Sequence, residues 1–276
     1  MSDLSHTSPA SDLARLRAEI DALDDALHDL LMQRSAIVSR LAASRAKGST
    51  VPVRPGREAS ILRRLLARHA GPLPKAALVR LWREVLAAST ALQGPFSVAV
   101  HVAAPGTALA RLAREHFGGA TPIRNHPTAA RALAAVTGGE ASVAVLPMPE
   151  DGEAPDHAWW TNLEVPRLQV VARLPFFGPV TPAALVVAPI APDPSGEDRS
   201  LLRIEGSADL ARPRIAAALE AAGLPARSLL LRRSGAGFMA LAEVEGFLAA
   251  GDPRLVQPGL GRVLSLGAYA APISGD

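Results

Sequence analysis

Leu13, Leu16, Ile20, Leu23, Leu27, Leu30, Ile37 and Leu41 recur at alternating three- and four-residue steps. That spacing predicts one long helix with a narrow buried seam. The seam position after Leu30 is Arg34. A guanidinium stays charged in proteins, and burying it alone is costly. Either a carboxylate partner or an anionic ligand therefore meets Arg34. No Pro or Gly interrupts residues 15–47, and Ser11-Asp12 is a plausible helix start. About 36 helical residues would span ~54 Å, longer than a small domain is wide. Such a helix needs a partner along its length, most simply a second copy of itself.

Downstream, Val51-Pro52-Val53-Arg54-Pro55-Gly56 is a rigid connection, and Gly71-Pro72-Leu73-Pro74 is a turn. They bracket a predicted helix over 57–69. A third helix is expected over 75–93, with Leu78, Trp82 and Val85 forming a stripe that Ser89 and Gln93 interrupt. Two helices with polar groups at core positions suggest a polar pocket inside a helical bundle. Gly94-Pro95 reads as a boundary.

Beyond it the texture changes. Residues 96–102 and 141–146 read as strands, with helices over 107–117 and 128–137 between them, half of an α/β unit. Pro127 is expected in the first turn of the second of these helices. Residues 147–162 form a Pro- and acid-rich loop. Strands are expected over 168–174 and 184–188, then a linker over 189–198, then a small β-α-β-β-rich domain.

The 276-residue chain has no cysteine, which excludes disulfide frameworks, thiolate metal sites and a cysteine nucleophile. No apolar run reaches the ~20 residues of a membrane span. The segment MSDLSHTSPASD has neither a basic nor an apolar leader region, so cytoplasm is the expected compartment. Basic side chains outnumber acidic ones in 1–94, while the remainder is slightly acidic. An anionic partner thus fits the helical part. A nucleic acid would want exposed basic residues and aromatic platforms. Here the decisive arginine lies on the seam, and Trp82 is the one aromatic residue of that segment.

Four motifs, Leu16-Arg17-Ala18-Glu19-Ile20-Asp21-Ala22-Leu23-Asp24, Leu30-Leu31-Met32-Gln33-Arg34, Val53-Arg54-Pro55-Gly56-Arg57-Glu58 and Ser89-Thr90-Ala91-Leu92-Gln93, together resemble the all-α chorismate mutases over residues 12–94. The resemblance implies an intertwined three-helix dimer and the pericyclic rearrangement of chorismate to prephenate. It implies no cofactor and no metal. Two substrate carboxylates call for guanidinium forks. By resemblance Arg34 holds one, and Arg17 reaches the other from the dimer partner. Gln93 donates to the ether oxygen, Glu58 accepts from the ring hydroxyl, and Arg57 and Ser89 complete the pocket. Arg45 stands where the family has lysine. Only Lys47 and Lys75 are lysines in this chain, so drift from Lys to Arg is the simple account. Arg54 stands where some members carry an acid.

The order of segments resembles the bifunctional chorismate mutase–prephenate dehydratases. Ala104-Pro105-Gly106-Thr107, Gly138-Gly139-Glu140-Ala141 with the strand after it, and Val263-Leu264-Ser265-Leu266-Gly267-Ala268-Tyr269 carry that likeness. The dehydratase motifs are replaced by Met148-Pro149-Glu150-Asp151 and Ala183-Ala184-Leu185, and the effector motif by Leu231-Arg232-Arg233-Ser234. The expected organisation is a disordered start over 1–11, a mutase domain over 12–94, a reduced dehydratase-like α/β region over 95–190 and an ACT-like α+β domain over 198–276. The expected activity is mutase alone, with the bifunctional enzyme as the alternative. The C-terminal half is then either a module sensing an aromatic amino acid effector or an oligomerisation scaffold. Chorismate and a second copy of the chain are the expected partners, with no nucleic acid and no membrane.

Overall fold

A computed structural model describes residues 9–44, 51–102, 108–179, 181–207, 210–234, 237–257 and 259–275. The chain divides into two compact units, Met1–Gly48 and Ser49–Asp276.

The described residues of the first unit form a single helix, α1 (Pro9–Ser44), of 36 residues. Asp12 in its first turn complements the helix dipole. The seam residues from Leu13 to Leu41 stay between 48% and 70% exposed in the single chain. The helix is the one expected from the spacing, but the seam expected to be buried is exposed in the single chain.

The second unit joins two helices to a nine-stranded sheet. The expected division after residue 94 does not coincide with the division between units. The reason lies in how α2 (Pro55–Arg68) and α3 (Lys75–Ala91) are anchored. Asp193, far along the chain, accepts hydrogen bonds from the Gly56 and Arg57 amides at 3.0 and 3.1 Å. It thus caps α2, whose own N-cap residue, Arg54, makes no side-chain cap. A Cβ on Gly56 would stand 2.1 Å from the Asp193 carbonyl oxygen, so only glycine permits this approach. Arg63 then donates to the carbonyls of Ser195, Glu197 and Ala271 at 3.2, 2.7 and 2.9 Å. The expected linker is therefore a docked strap. Ala59, Leu62, Val79 and Leu86 pack with Phe176 and Ala270.

The sheet order is β2-β1-β3-β5-β4-β9-β6-β8-β7. Its first half holds β1 (Val98–His101), β2 (Ile123–His126) and β3 (Val143–Pro147), which are mutually parallel, with α4 (Ala108–Phe117) and α5 (Ala129–Thr137) as crossovers. β4 (Gln169–Leu174) and β5 (Ala184–Ala188) close this half antiparallel. Strand β2 was not expected. It is a short edge strand whose Arg124 and Asn125 are exposed, so it carries no apolar alternation. Thr128 rather than His126 or Pro127 starts α5: its hydroxyl accepts from the Arg131 amide at 3.2 Å. Pro127 precedes that cap and lies outside the first turn.

The second half comprises β6 (Asp198–Ser207), α6 (Arg212–Ala221), β7 (Ala226–Ser234), β8 (Gly237–Glu245), a short 3₁₀ helix Pro253–Leu255 and β9 (Arg262–Ala270). Here β6 pairs antiparallel with β8 and β9, and β7 pairs antiparallel with β8. The halves join where β4 meets β9, through the Val170–Gly267 pair. Gly267 has φ +133°, and a Cβ there would lie 2.1 Å from the Val170 carbonyl oxygen. The joint requires glycine.

The loop expected over 147–162 is fastened from the second half. Trp159 and Trp160 are buried in the same core as Tyr269 and Leu201. Arg203 donates to the carbonyls of Trp160, Thr161 and Leu163 at 3.0–3.1 Å, satisfying the end of a 3₁₀ turn. Arg212 Nη2 donates to both carboxylate oxygens of Asp151 at 3.0 Å, and Arg232 reaches the Glu153 carbonyl at 2.8 Å. No helix among the described residues is long and apolar enough to cross a membrane.

Candidate functional site

The expected site residues fall on both compact units. On α1, Arg17 is exposed and Arg34 is half-buried within the seam. Partial burial lowers the Arg34 pKa, but a guanidinium remains charged at neutral pH. The two are seventeen residues apart in one helix, roughly 25 Å along its axis. Arg45 lies outside the described residues, as does the Ala104–Thr107 turn.

In the second unit, Arg57 and Glu58 occupy the first turn of α2. Arg57 is exposed, with its amide held by Asp193. Glu58 is half-buried. Ser89 and Gln93 stand at the end of α3. Ser89 is 8% exposed, and its hydroxyl donates back to the Val85 carbonyl at 2.6 Å. Gln93 donates from Nε2 to the Ser89 carbonyl at 2.8 Å. That uses one of its two amide hydrogens and leaves the other for a ligand acceptor. Its Oε1 is buried with no hydrogen-bond partner among the described residues.

The residue that sequence reasoning missed is Arg83. It is 5% exposed and meets Glu58 with Nη1–Oε2 at 3.0 Å. The buried face of α3 is Val79, Arg83, Leu86, Ser89 and Thr90, while Leu78, Trp82 and Val85 are half-buried. The expected stripe was thus rotated by about one position. The signal was available, since Val79, Arg83, Leu86 and Thr90 also follow helical steps, with a charge at a core position as at Arg34. Burial pushes the Glu58 carboxyl above its ordinary pKa; the Arg83 charge pulls it down and the Asp193 charge pushes it up. Burial lowers Arg83 against the opposing pull of Glu58. The pair joins α2 to α3 and sets the orientation of the Glu58 carboxylate. Among the described residues, no group of three or more His, Asp or Glu is placed to hold a metal ion.

Residues 16–94 match the sequence model of a family described as chorismate mutase type II. Among curated proteins, the bifunctional chorismate mutase/prephenate dehydratase of Stutzerimonas stutzeri is 34% identical over 118 residues, 40% of this chain and 32% of the relative. The Pseudomonas aeruginosa protein of the same description is 32% identical over 149 residues, 51% of this chain and 40% of the relative. The chain therefore spans about a third to two fifths of the length of these relatives. Among solved structures, GqqA, described as a novel type of quorum quenching acylases, has a TM-score of 0.49 at 22% identity, covering 64% of this chain and 96% of that one. A prephenate dehydratase of Arthrobacter aurescens in complex with L-Phe has a TM-score of 0.46 at 13% identity, covering 63% and 89%.

Proposed function

Residues 16–94 being a chorismate mutase type II domain, we propose that the chain rearranges chorismate to prephenate in aromatic amino acid biosynthesis. The observation that carries this is the domain match, with Arg34 inside the α1 seam and Arg57, Glu58, Ser89 and Gln93 at the ends of α2 and α3. The reaction is pericyclic. It requires no proton transfer and no covalent intermediate, so the protein's work is to hold a compact conformer and to stabilise charge on the breaking ether oxygen.

In this reading Arg34 forks one carboxylate. The other is taken by Arg17 of the partner subunit, because roughly 25 Å of helix separates the two arginines within one chain. The exposed α1 seam supports a homodimer, since a second copy of the same seam would cover it. The free Gln93 amide hydrogen addresses the ether oxygen together with Arg45. Glu58 accepts from the ring hydroxyl while Arg83 occupies its other oxygen, and Arg57 and Ser89 close the pocket.

Prephenate is the final product in this reading. Dehydration with loss of carboxylate wants a cation and a hydroxyl at the start of β5. Ala183 and Ala184 stand there, and the loop after β3 fills the neighbouring core with Trp159 and Trp160. The bifunctional reading keeps one observation in its favour: the 149 aligned residues of the Pseudomonas aeruginosa relative outrun the segment 16–94. Residues 198–276 are read as ACT-like, on the antiparallel order β9-β6-β8-β7 with α6 in the first crossover. They serve as an effector module or as a scaffold. A spectrophotometric assay of chorismate loss, with product analysis, tests the proposal: prephenate is expected, unchanged chorismate refutes it, and phenylpyruvate restores the bifunctional reading. Thermal shifts with phenylalanine, tyrosine and tryptophan separate effector module from scaffold.

A further inference from the structure

A cavity of about 620 Å³ opens within the second unit, between α3, α4 and the segment that follows β4. Its size falls in the range of small-molecule sites. The residues proposed for chorismate do not line it. Its apolar walls are Val79, Leu112, Phe176 and Phe177, and its buried polar groups are Arg83 and His116. Two further cations, Lys75 and Arg80, and one carboxylate, Glu115, line it from exposed positions.

Two features mark it as more than a packing defect. A guanidinium has five N–H donors, and among the described residues Arg83 makes its hydrogen bond to Glu58 alone. The rest of the fork is available on the cavity side, and its Cζ lies 5.7 Å from the Phe176 ring centre. His116 is only 9% exposed, and its Nε2 is buried with no hydrogen-bond partner among the described residues. Buried polar groups are normally satisfied, and a wall that keeps one open beside an accessible guanidinium is not packed as an apolar core would be.

We propose that this cavity binds a small carboxylate carrying an apolar ring, with the carboxylate on Arg83 and the ring between Phe177, Val79 and Leu112. The charge balance favours an anion, and the fork geometry favours a planar carboxylate. Burial and the Arg83 charge hold the His116 pKa well below its usual value, so the imidazole in the wall is neutral and leaves Arg83 as the buried cation that meets the ligand.

The site shares Arg83 with Glu58. A bound carboxylate competes with Glu58 for the same guanidinium, so binding alters the carboxylate proposed to meet the substrate hydroxyl. This consequence, unlike the binding itself, rests on the mutase reading.

The test uses the full chain and 3-phenylpropanoate as probe, followed by calorimetry, with 3-phenylpropanamide as the uncharged control. Saturable binding is expected, weaker by about tenfold or more for the amide. Arg83→Gln should abolish it. Val79→Phe, which fills the cavity and leaves the ion pair in place, should abolish it too, while circular dichroism reports both variants folded. Absence of binding to the wild-type chain, equal affinity for the amide, or full binding by folded Val79→Phe overturns the proposal. Chorismate turnover is measured in parallel with and without probe, and a changed kcat/KM is expected. Binding without any turnover refutes the mutase reading alone. Turnover that is present but unmoved by saturating probe refutes the coupling alone.

Discussion

Arg34 and Arg83 each interrupt an apolar helix stripe within one family segment, yet their surroundings differ. Arg83 is 5% exposed and meets a carboxylate, Glu58, at 3.0 Å inside its own compact unit. Arg34 is half-buried on a helix whose seam residues remain 48–70% exposed in the single chain. A buried charge requires a counter-charge. The α3 arginine obtains one from Glu58 on the preceding helix, α2. The α1 arginine is half-buried on a seam that, in our reading, a second helix covers and a dianionic ligand meets. The same residue type in the same pattern thus meets a carboxylate of its own fold in one place and, in our reading, a substrate carboxylate in the other.

The sharpest way to break this comparison is Arg34→Ala. Losing a carboxylate fork is expected to cost roughly 3–5 kcal/mol of transition-state binding, a fall of about two to four orders of magnitude in kcat/KM. The melting temperature should barely change. A loss below about tenfold in a folded variant would make Arg34 structural.

Arg83→Leu should show the reverse emphasis. Removing one partner of a buried pair costs about 3 kcal/mol of stability, read by urea unfolding. The double change Arg83→Leu with Glu58→Leu should recover most of that loss, since apolar residues of similar volume replace a buried pair at little cost. No recovery would show that Arg83 contributes mainly through Phe176 and its other neighbours.

Mixing subunits sharpens the α1 side. Arg17→Ala and Arg34→Ala chains, each inactive alone, should regain part of the wild-type rate when refolded together, because each heterodimer would keep one intact site. Turnover that stays absent after mixing would remove the shared-site reading.

The smallest effect concerns His116, beside Arg83. Its folded pKa lies well below the unfolded 6.5, so the native state favours the neutral ring. The stability this contributes is fully present above pH 6.5 and is lost as pH falls toward the depressed folded value. Urea midpoints should therefore decline below that pH in the wild type. In His116→Phe, which keeps an aromatic ring against Phe117, the decline should shrink by about 1 kcal/mol per pKa unit removed.

Much of this was legible along the chain. Helix α1 was readable because eight apolar residues and Arg34 keep one strict rhythm without Pro or Gly. Strand β2 was not, because an exposed edge strand has no apolar face to alternate. The polar positions Arg34, Ser89 and Gln93 were legible as interruptions of stripes, whereas Arg83, between Trp82 and Glu84, lies off the stripe that was read.

What the sequence determined by itself was therefore local: helix and strand texture, the seam arginine and the motifs that mark the mutase segment. Those follow from steps of two, three or four residues, which the backbone repeats impose on neighbours in the chain. Tertiary structure decided which face of α3 is buried, that Arg83 takes Glu58, that Asp193 caps α2 from 137 residues away, and that the two halves of the sheet meet at Gly267. These depend on approaches between distant segments. A helix stripe tolerates rotation by one residue until a neighbour packs against it, and a cap or a glycine contact has no signature until its partner arrives.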